Sequence, residues 1–137
     1  MSLATREANE ADYPLIADSF WRVARSVPAC YGAGRKFLVG MLDRVIADPS
    51  WNVVVLYETD VPDETIGWAI HRSTDELFFI AIKPRYQRLG MAKRLIELSD
   101  IDPSHSPITV PFSSLPLLGL IRSVGSSVRI RPYMALV

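Results

Sequence analysis

Residues 82–95, IKPRYQRLGMAKRL, carry an apolar strand into an amphipathic helix, and the junction has the composition of an anion site. The first amides of a helix lack intrahelical acceptors and point outward beside the positive end of the helix dipole. A diphosphate can accept from several of them at once. Gly90 permits close backbone approach, and the small Ala92 keeps bulk away from the anion. Arg85, Arg88, Lys93 and Arg94 add positive charge without defining the ligand. The same residues also read as an ordinary strand-to-helix turn with a solvated basic start.

The flanking pattern predicts the elements that hold this turn. Residues 3–8 read as a short strand, and Asn9 with Asp12 as a helix N-cap pair. Leu15, Ile16, Phe20, Val23, Ala24 and Val27 recur at helical spacing up to Pro28. Residues 29–34 (ACYGAG) form a loop, and Phe37, Leu38, Met41, Leu42, Val45 and Ile46 mark a helix that stops before Pro49. Residues 51–57 (WNVVVLY), 66–71 (IGWAIH) and 76–82 (ELFFIAI) read as hairpin-linked strands, with 58–65 as a polar turn containing Pro62. The last run is apolar enough to be buried on both faces, and Pro84 ends it. Met91, Ala92, Leu95, Ile96 and Leu98 mark a third helix. A strand over 108–112, a helix over 113–124 with Gly125 as its C′ residue, and a strand over 128–137 complete the chain. The order is β-α-α-β-β-β-α-β-α-β, an α/β chain with an α+β mixed sheet of about six to seven strands and about four helices.

The chain has 137 residues, 49% hydrophobic and 22% charged, which suits one domain over 1–137 and neither a disordered tail nor a membrane protein. Fifteen basic residues balance fifteen acidic ones, so there is no strong nucleic-acid signal. The start MSLATRE lacks the apolar core of a signal peptide, and no apolar run approaches the roughly 20 residues that span a bilayer. A cytoplasmic setting is the expectation. Cys30 is alone, so no disulfide, CxxC or zinc site is expected, and metal ligands are predicted to be none. His71 and His105 read as surface histidines, and Trp21, Trp51 and Trp68 as core.

Gln87-x-x-Gly90-x-Ala92 resembles the Q/R-x-x-G-x-G/A signature of the GNAT superfamily of N-acetyltransferases, and it stands where that family carries it, after the fourth strand and opening the next helix. Ile66-Gly67-Trp68-Ala69 and Tyr86 extend the likeness, which is sharp over residues 66–98 and covers the rest in element order. The resemblance implies a GNAT-like fold and transfer of an acetyl group from acetyl-CoA to a primary amine. It implies that Gln87, Arg88, Leu89, Gly90, Met91 and Ala92 hold the pyrophosphate. The main chain of Ile80, Ala81 and Ile82, within the stretch 79–83, would pair with the pantetheine arm, and an amide near Ile80 or Ile82 would polarise the thioester carbonyl.

An ammonium cannot attack a thioester, and an amine of pKa about 10.4 costs about 4–5 kcal/mol to deprotonate at pH 7. The histone-acetylating branch of the family carries its general base in an E-x-x-x-x-A-I context similar to Glu76-Leu77-Phe78-Phe79-Ile80-Ala81-Ile82, which makes Glu76 the candidate base. Glu76 equally reads as a solvated residue where a hairpin passes into a strand, and Asp75 is a weaker candidate. The family's tyrosine acid, four residues ahead of a Gly, is replaced here by Ile121 ahead of Gly125, and the Asn near the start of that helix by Ser113 and Ser114. A thiol of pKa near 8.5 leaves as thiolate for about 2 kcal/mol, so the loss need not stop transfer. Tyr133 is either a substitute donor or a packing residue. Two functions follow: an acetyl-CoA-dependent N-acyltransferase, or a catalytically inactive GNAT-like domain acting as a structural or interaction module in a larger assembly; a protein partner or a homodimer is compatible with either.

Overall fold

The computed structural model describes residues 2–25, 34–102, 104, 107–111 and 115–131. Tyr133, Cys30, His105, Ser113 and Ser114 lie outside them. The elements run β1 (Leu3–Glu7), α1 (Tyr13–Ala24), α2 (Arg35–Ala47), β2 (Asn52–Glu58), β3 (Val61–Arg72), β4 (Glu76–Ile82), α3 (Met91–Leu98), β5 (Ile108–Val110), α4 (Leu115–Ser123) and β6 (Val128–Ile130). That is the order the sequence predicts. One six-stranded sheet holds the strands in chain order, antiparallel from β1 to β4 and parallel from β4 to β6.

The two faces of the sheet bury separate cores. On one, Ile16 and Phe20 of α1 and Leu38, Leu42 and Val45 of α2 pack against Val53, Val55, Trp68, Ile70, Phe78, Phe79 and Ala81. On the other, Met91, Leu95 and Ile96 of α3 and Ile121 of α4 cover Leu56, Ile66, Ala69 and Leu77. Each face removes well over ten apolar side chains from water, at about 1.5–3 kcal/mol apiece when fully buried. Both faces of β4 are therefore covered, as its unbroken apolar run implies. No helix among the described residues is long and apolar enough to cross a membrane.

The first helical turn is fixed by local chemistry. Asn9 Oδ1 accepts from the Ala11 amide at 3.0 Å, and the Asn9 amide donates to Asp12 at 2.9 Å, a reciprocal cap that leads into α1. Arg6 of β1 grips the same Asp12 with two bonds of 2.7 and 2.9 Å. The Arg6 guanidinium foremost, and the Asn9 amide with it, hold the Asp12 carboxyl below its usual range. A depressed carboxylate contributes stability above its unfolded value, near pH 4, and loses that contribution as pH falls through the folded value. Asp12→Asn is expected to cost about 1–2 kcal/mol at pH 7. Urea unfolding should then show a smaller drop between pH 7 and pH 3 in the variant than in the parent, and an equal drop would refute this assignment.

Two expectations need correction. Residues 61–65 are strand and not turn: Thr59 and Asp60 alone make the bend, and β3 starts at Val61 opposite Glu58. Pro62 fits because it stands at the beginning of the strand, where the ladder is already interrupted by register shifts at Tyr57. His71 is buried at 2% exposure, with Nδ1 3.3 Å from the Ser73 carbonyl, and is no surface residue. The described part of α1 ends at Ala24, and Val27 lies outside the described residues. Gly125, at φ 86°, does close α4: its amide reaches Arg122 O at 3.0 Å and the Ser126 amide reaches Ile121 O at 3.1 Å, the paired bonds of a Schellman end.

Candidate functional site

β4 is interrupted by a bulge at Phe78, since Ile70 faces Phe79 while His71 faces Leu77. The extra residue lets Phe78 and Phe79 pack on the same face, around Phe20, at centroid distances of 5.6 and 4.9 Å. It also changes which backbone groups look outward. Ala8 donates to Val53 O, so Val53 faces β1; alternation then turns Trp68 and Ile70 toward β4, and the Lys83 amide donates to Ile66 O in the same register. Phe79 and Ala81 are consequently spent on β3, and the N–H and C=O of Ile80 and Ile82 point the other way.

On that other side the sheet opens. Among the described residues β4 pairs with β5 through Glu76 and Thr109 alone, with the Thr109 amide on Asp75 O at 2.7 Å. Beyond Glu76 no described residue of β5 stands opposite β4, which leaves among the described residues a wedge with the Ile80 and Ile82 main chain along one wall. Gln87 Nε2 donates to Ile82 O at 3.1 Å, leaving the Ile80 groups and the Ile82 amide toward the gap.

The wedge leads to the strand-to-helix turn. Pro84–Tyr86 form a single tight turn anchored by Tyr86, whose hydroxyl donates to Glu64 at 3.0 Å while Arg85 stacks over its ring at 4.9 Å. Burial first, and the Glu64 bond with it, push the Tyr86 phenol above its ordinary value, so it stays a donor. Arg88 and Gly90 both hold left-handed φ, 64° and 75°. The α3 N-cap is Gly90, and no side chain caps the helix. Its first amides, at Met91, Ala92 and Lys93, are therefore offered outward, and the Arg94 amide is the first to return to Gly90 O. Gln87, Arg88, Leu89 and Gly90 are exposed, Ala92 is half-buried and Met91 turns inward. A non-glycine residue at positive φ is a small strain that persists only where the surroundings impose it.

Glu76 stands apart from this. It lies at the closed end of the wedge, about four residues, or roughly 13 Å of strand, from Ile80. Its carboxylate takes Arg72 Nε at 3.1 Å, Arg72 Nη2 at 2.9 Å and Ser73 Oγ at 3.3 Å. Arg72 in turn sits over Trp51 at 4.4 Å, and the Glu76 bond foremost raises its pKa above the ordinary value. Asp75 offers its main-chain carbonyl to Thr109. Ile121, at the tyrosine position of the resemblance, is fully buried. Among the described residues no group of His, Cys, Asp and Glu is placed to hold a metal ion.

Sequence reasoning missed two features. The Arg72–Glu76 pair was visible as opposite charges four apart around a tight turn. A cleft of about 220 Å³ between α1 and the end of β4, with Arg22 and Lys83 among its lining, has no sequence signal because it joins residues some sixty positions apart.

The architecture is that of a GNAT-like fold. No protein-family model and no curated protein matches the chain. Solved structures do. An acetyltransferase from Trypanosoma brucei superposes with a TM-score of 0.58 at 18% identity, over 95% of this chain and 96% of that one. A possible acetyltransferase from Clostridium difficile 630 gives 0.55 at 14% identity, over 71% and 68%. A GCN5-related N-acetyltransferase from Rhodopseudomonas palustris gives 0.50 at 14%, over 71% and 62%. At these identities the likeness establishes the fold, a mixed six-stranded sheet with four helices of the GNAT acetyltransferase type.

Proposed function

We propose that the chain is an N-acyltransferase that takes an acetyl group from acetyl-CoA and passes it to a primary amine. One observation carries the reading: among the described residues nothing on β5 stands opposite the outward main chain of Ile80 and the Ile82 amide, and this gap leads to the uncapped amides of α3. The residues present fit the cosubstrate. An added Cβ at Gly90 would meet nothing within 4 Å, so the space before α3 is open, and no side chain occupies the amides. Gln87, Arg88, Leu89, Gly90, Met91 and Ala92 would hold the pyrophosphate, and Ile80, Ala81 and Ile82 the pantetheine arm. Acetyl-CoA supplies an activated acyl thioester. The outward amides of Ile80 and Ile82 are the donors available to a developing oxyanion.

Glu76 enters this reading as a strut across the β3–β4 hairpin and not as the base, because its carboxylate is committed to Arg72 and Ser73. Glu76→Gln should keep kcat within about threefold across the pH range while lowering stability by about 1–2 kcal/mol. A loss of about a hundredfold or more in kcat would restore the catalytic role. Tyr133 keeps its standing as a candidate donor, and its substitution by Phe reads it directly.

Calorimetric titration with CoA tests the proposal: saturable one-to-one binding is expected, and a flat isotherm removes it in favour of a structural or interaction module.

A further inference from the structure

The cleft between α1 and the end of β4 adjoins the proposed CoA site, since Ala81, Ile82 and Gln87 line it, and extends from there to α1. Its walls are apolar, with Leu15 and Val23 on α1 facing Trp68 and Ala81. Trp68 is fixed there by donating Nε1 to Ser19 Oγ at 2.6 Å. The ionisable side chains of the lining are both cationic, Arg22 and Lys83, and no carboxylate belongs to it among the described residues. Arg22 does reach Asp18 at 3.5 Å, but those side chains are 47% and 68% exposed, and such a pair yields readily to a better anion. A volume of about 220 Å³ is smaller than the roughly 300–1,000 Å³ of drug-sized pockets.

These features select a ligand. Apolar walls take an apolar body, two cations take an anionic group, and the volume limits the whole to a small molecule. The same cations disfavour an ammonium and favour the neutral amine, the form that can attack a thioester. They also repel polyamines. We infer that this cleft is the acceptor pocket of the acyltransferase and takes a free α-amino acid with an apolar side chain, its carboxylate held by Arg22 and Lys83. The inference rests on the acyltransferase reading. In the reaction the amine nitrogen–acyl bond forms, the acyl–sulfur bond breaks, and the proton shed by nitrogen balances the thiol released as free CoA. The electrostatic preference for neutral amine supplies part of what a side-chain base would otherwise do.

The test compares acetyl transfer to leucine and phenylalanine with transfer to leucinamide, phenylalaninamide and spermidine, following CoA release and the mass of the product. The free acids should show kcat/KM about tenfold or more above their amides, with spermidine inert. Arg22→Ala, an exposed site that leaves the fold intact, should raise KM for leucine about tenfold and leave leucinamide within about twofold. Lys83→Met should act in the same direction. Equal use of acid and amide, preference for spermidine, turnover of no free amino acid, or an equal loss on acid and amide in Arg22→Ala each overturns the acceptor assignment. CoA titration on the same preparations separates the two levels. Absent CoA binding removes the acyltransferase reading and this inference with it, whereas normal CoA binding with no preference for the free acid removes only the acceptor pocket.

Discussion

Gly90→Glu should abolish measurable CoA binding, by about a hundredfold or more in Kd, while the protein stays folded. Gly90 caps α3 at φ 75°, and its Cβ direction is open, so the new side chain meets no steric obstacle. The left-handed backbone itself costs about 1–2 kcal/mol for a residue with a Cβ. The larger effect is electrostatic. A carboxylate placed about 5 Å from a diphosphate charge costs about 3 kcal/mol at an effective dielectric near 20, and it competes for the amides the ligand needs. Gly90→Ala carries the same backbone strain without the charge and should lose far less affinity. Unchanged CoA affinity in the glutamate variant would place the pyrophosphate somewhere other than the α3 N-terminus.

Gly67→Val should be the most destabilising single change in the sheet, costing about 3 kcal/mol or more. A Cβ at Gly67 would lie 2.5 Å from Ile82 Cδ1 and 2.6 Å from the Ala81 carbonyl oxygen. The side chain can rotate away, but the carbonyl belongs to the β3–β4 ladder and cannot. Gly67 and Ile82 are opposed at a position where the strands exchange no hydrogen bonds, and there the backbones approach most closely. Forcing them apart would also shift Ile80 and Ile82, so CoA affinity should fall together with the denaturation midpoint. An unfolding free energy within about 0.5 kcal/mol of the parent would show that β4 can move freely at this place.

Much of this molecule is written in local patterns. The run ELFFIAI fixes β4, the pair Asn9 and Asp12 fixes the start of the first helical segment, and Gly125 fixes the end of α4. Each works through neighbours within a few residues, so reading along the chain suffices. The anion turn is legible for the same reason, because Gln87, Gly90 and Ala92 sit in one loop and one helical turn. What escapes is whatever depends on partners far away. Pro62 reads as a turn until the opposite strand shows its amide was never needed. His71 looks like a surface residue until the covering side of the hairpin buries it. Glu76 matches a catalytic context in sequence, yet Arg72 on the neighbouring strand engages both of its oxygens. The candidate acceptor cleft needs α1 laid against β4, which no spacing rule encodes.

The single rung between β4 and β5 has a consequence for how the molecule breathes. Among the described residues the portion built from β5, α4 and β6 is tied to β4 by that rung and to the core by side chains under α3, few bonds with which to resist partial opening. An extended ligand lying in the gap would complete the missing hydrogen bonds and turn two weakly coupled slabs into one. Occupancy would then be felt as mechanical continuity across the protein, with amides of β6 gaining protection although that strand lies beyond the gap.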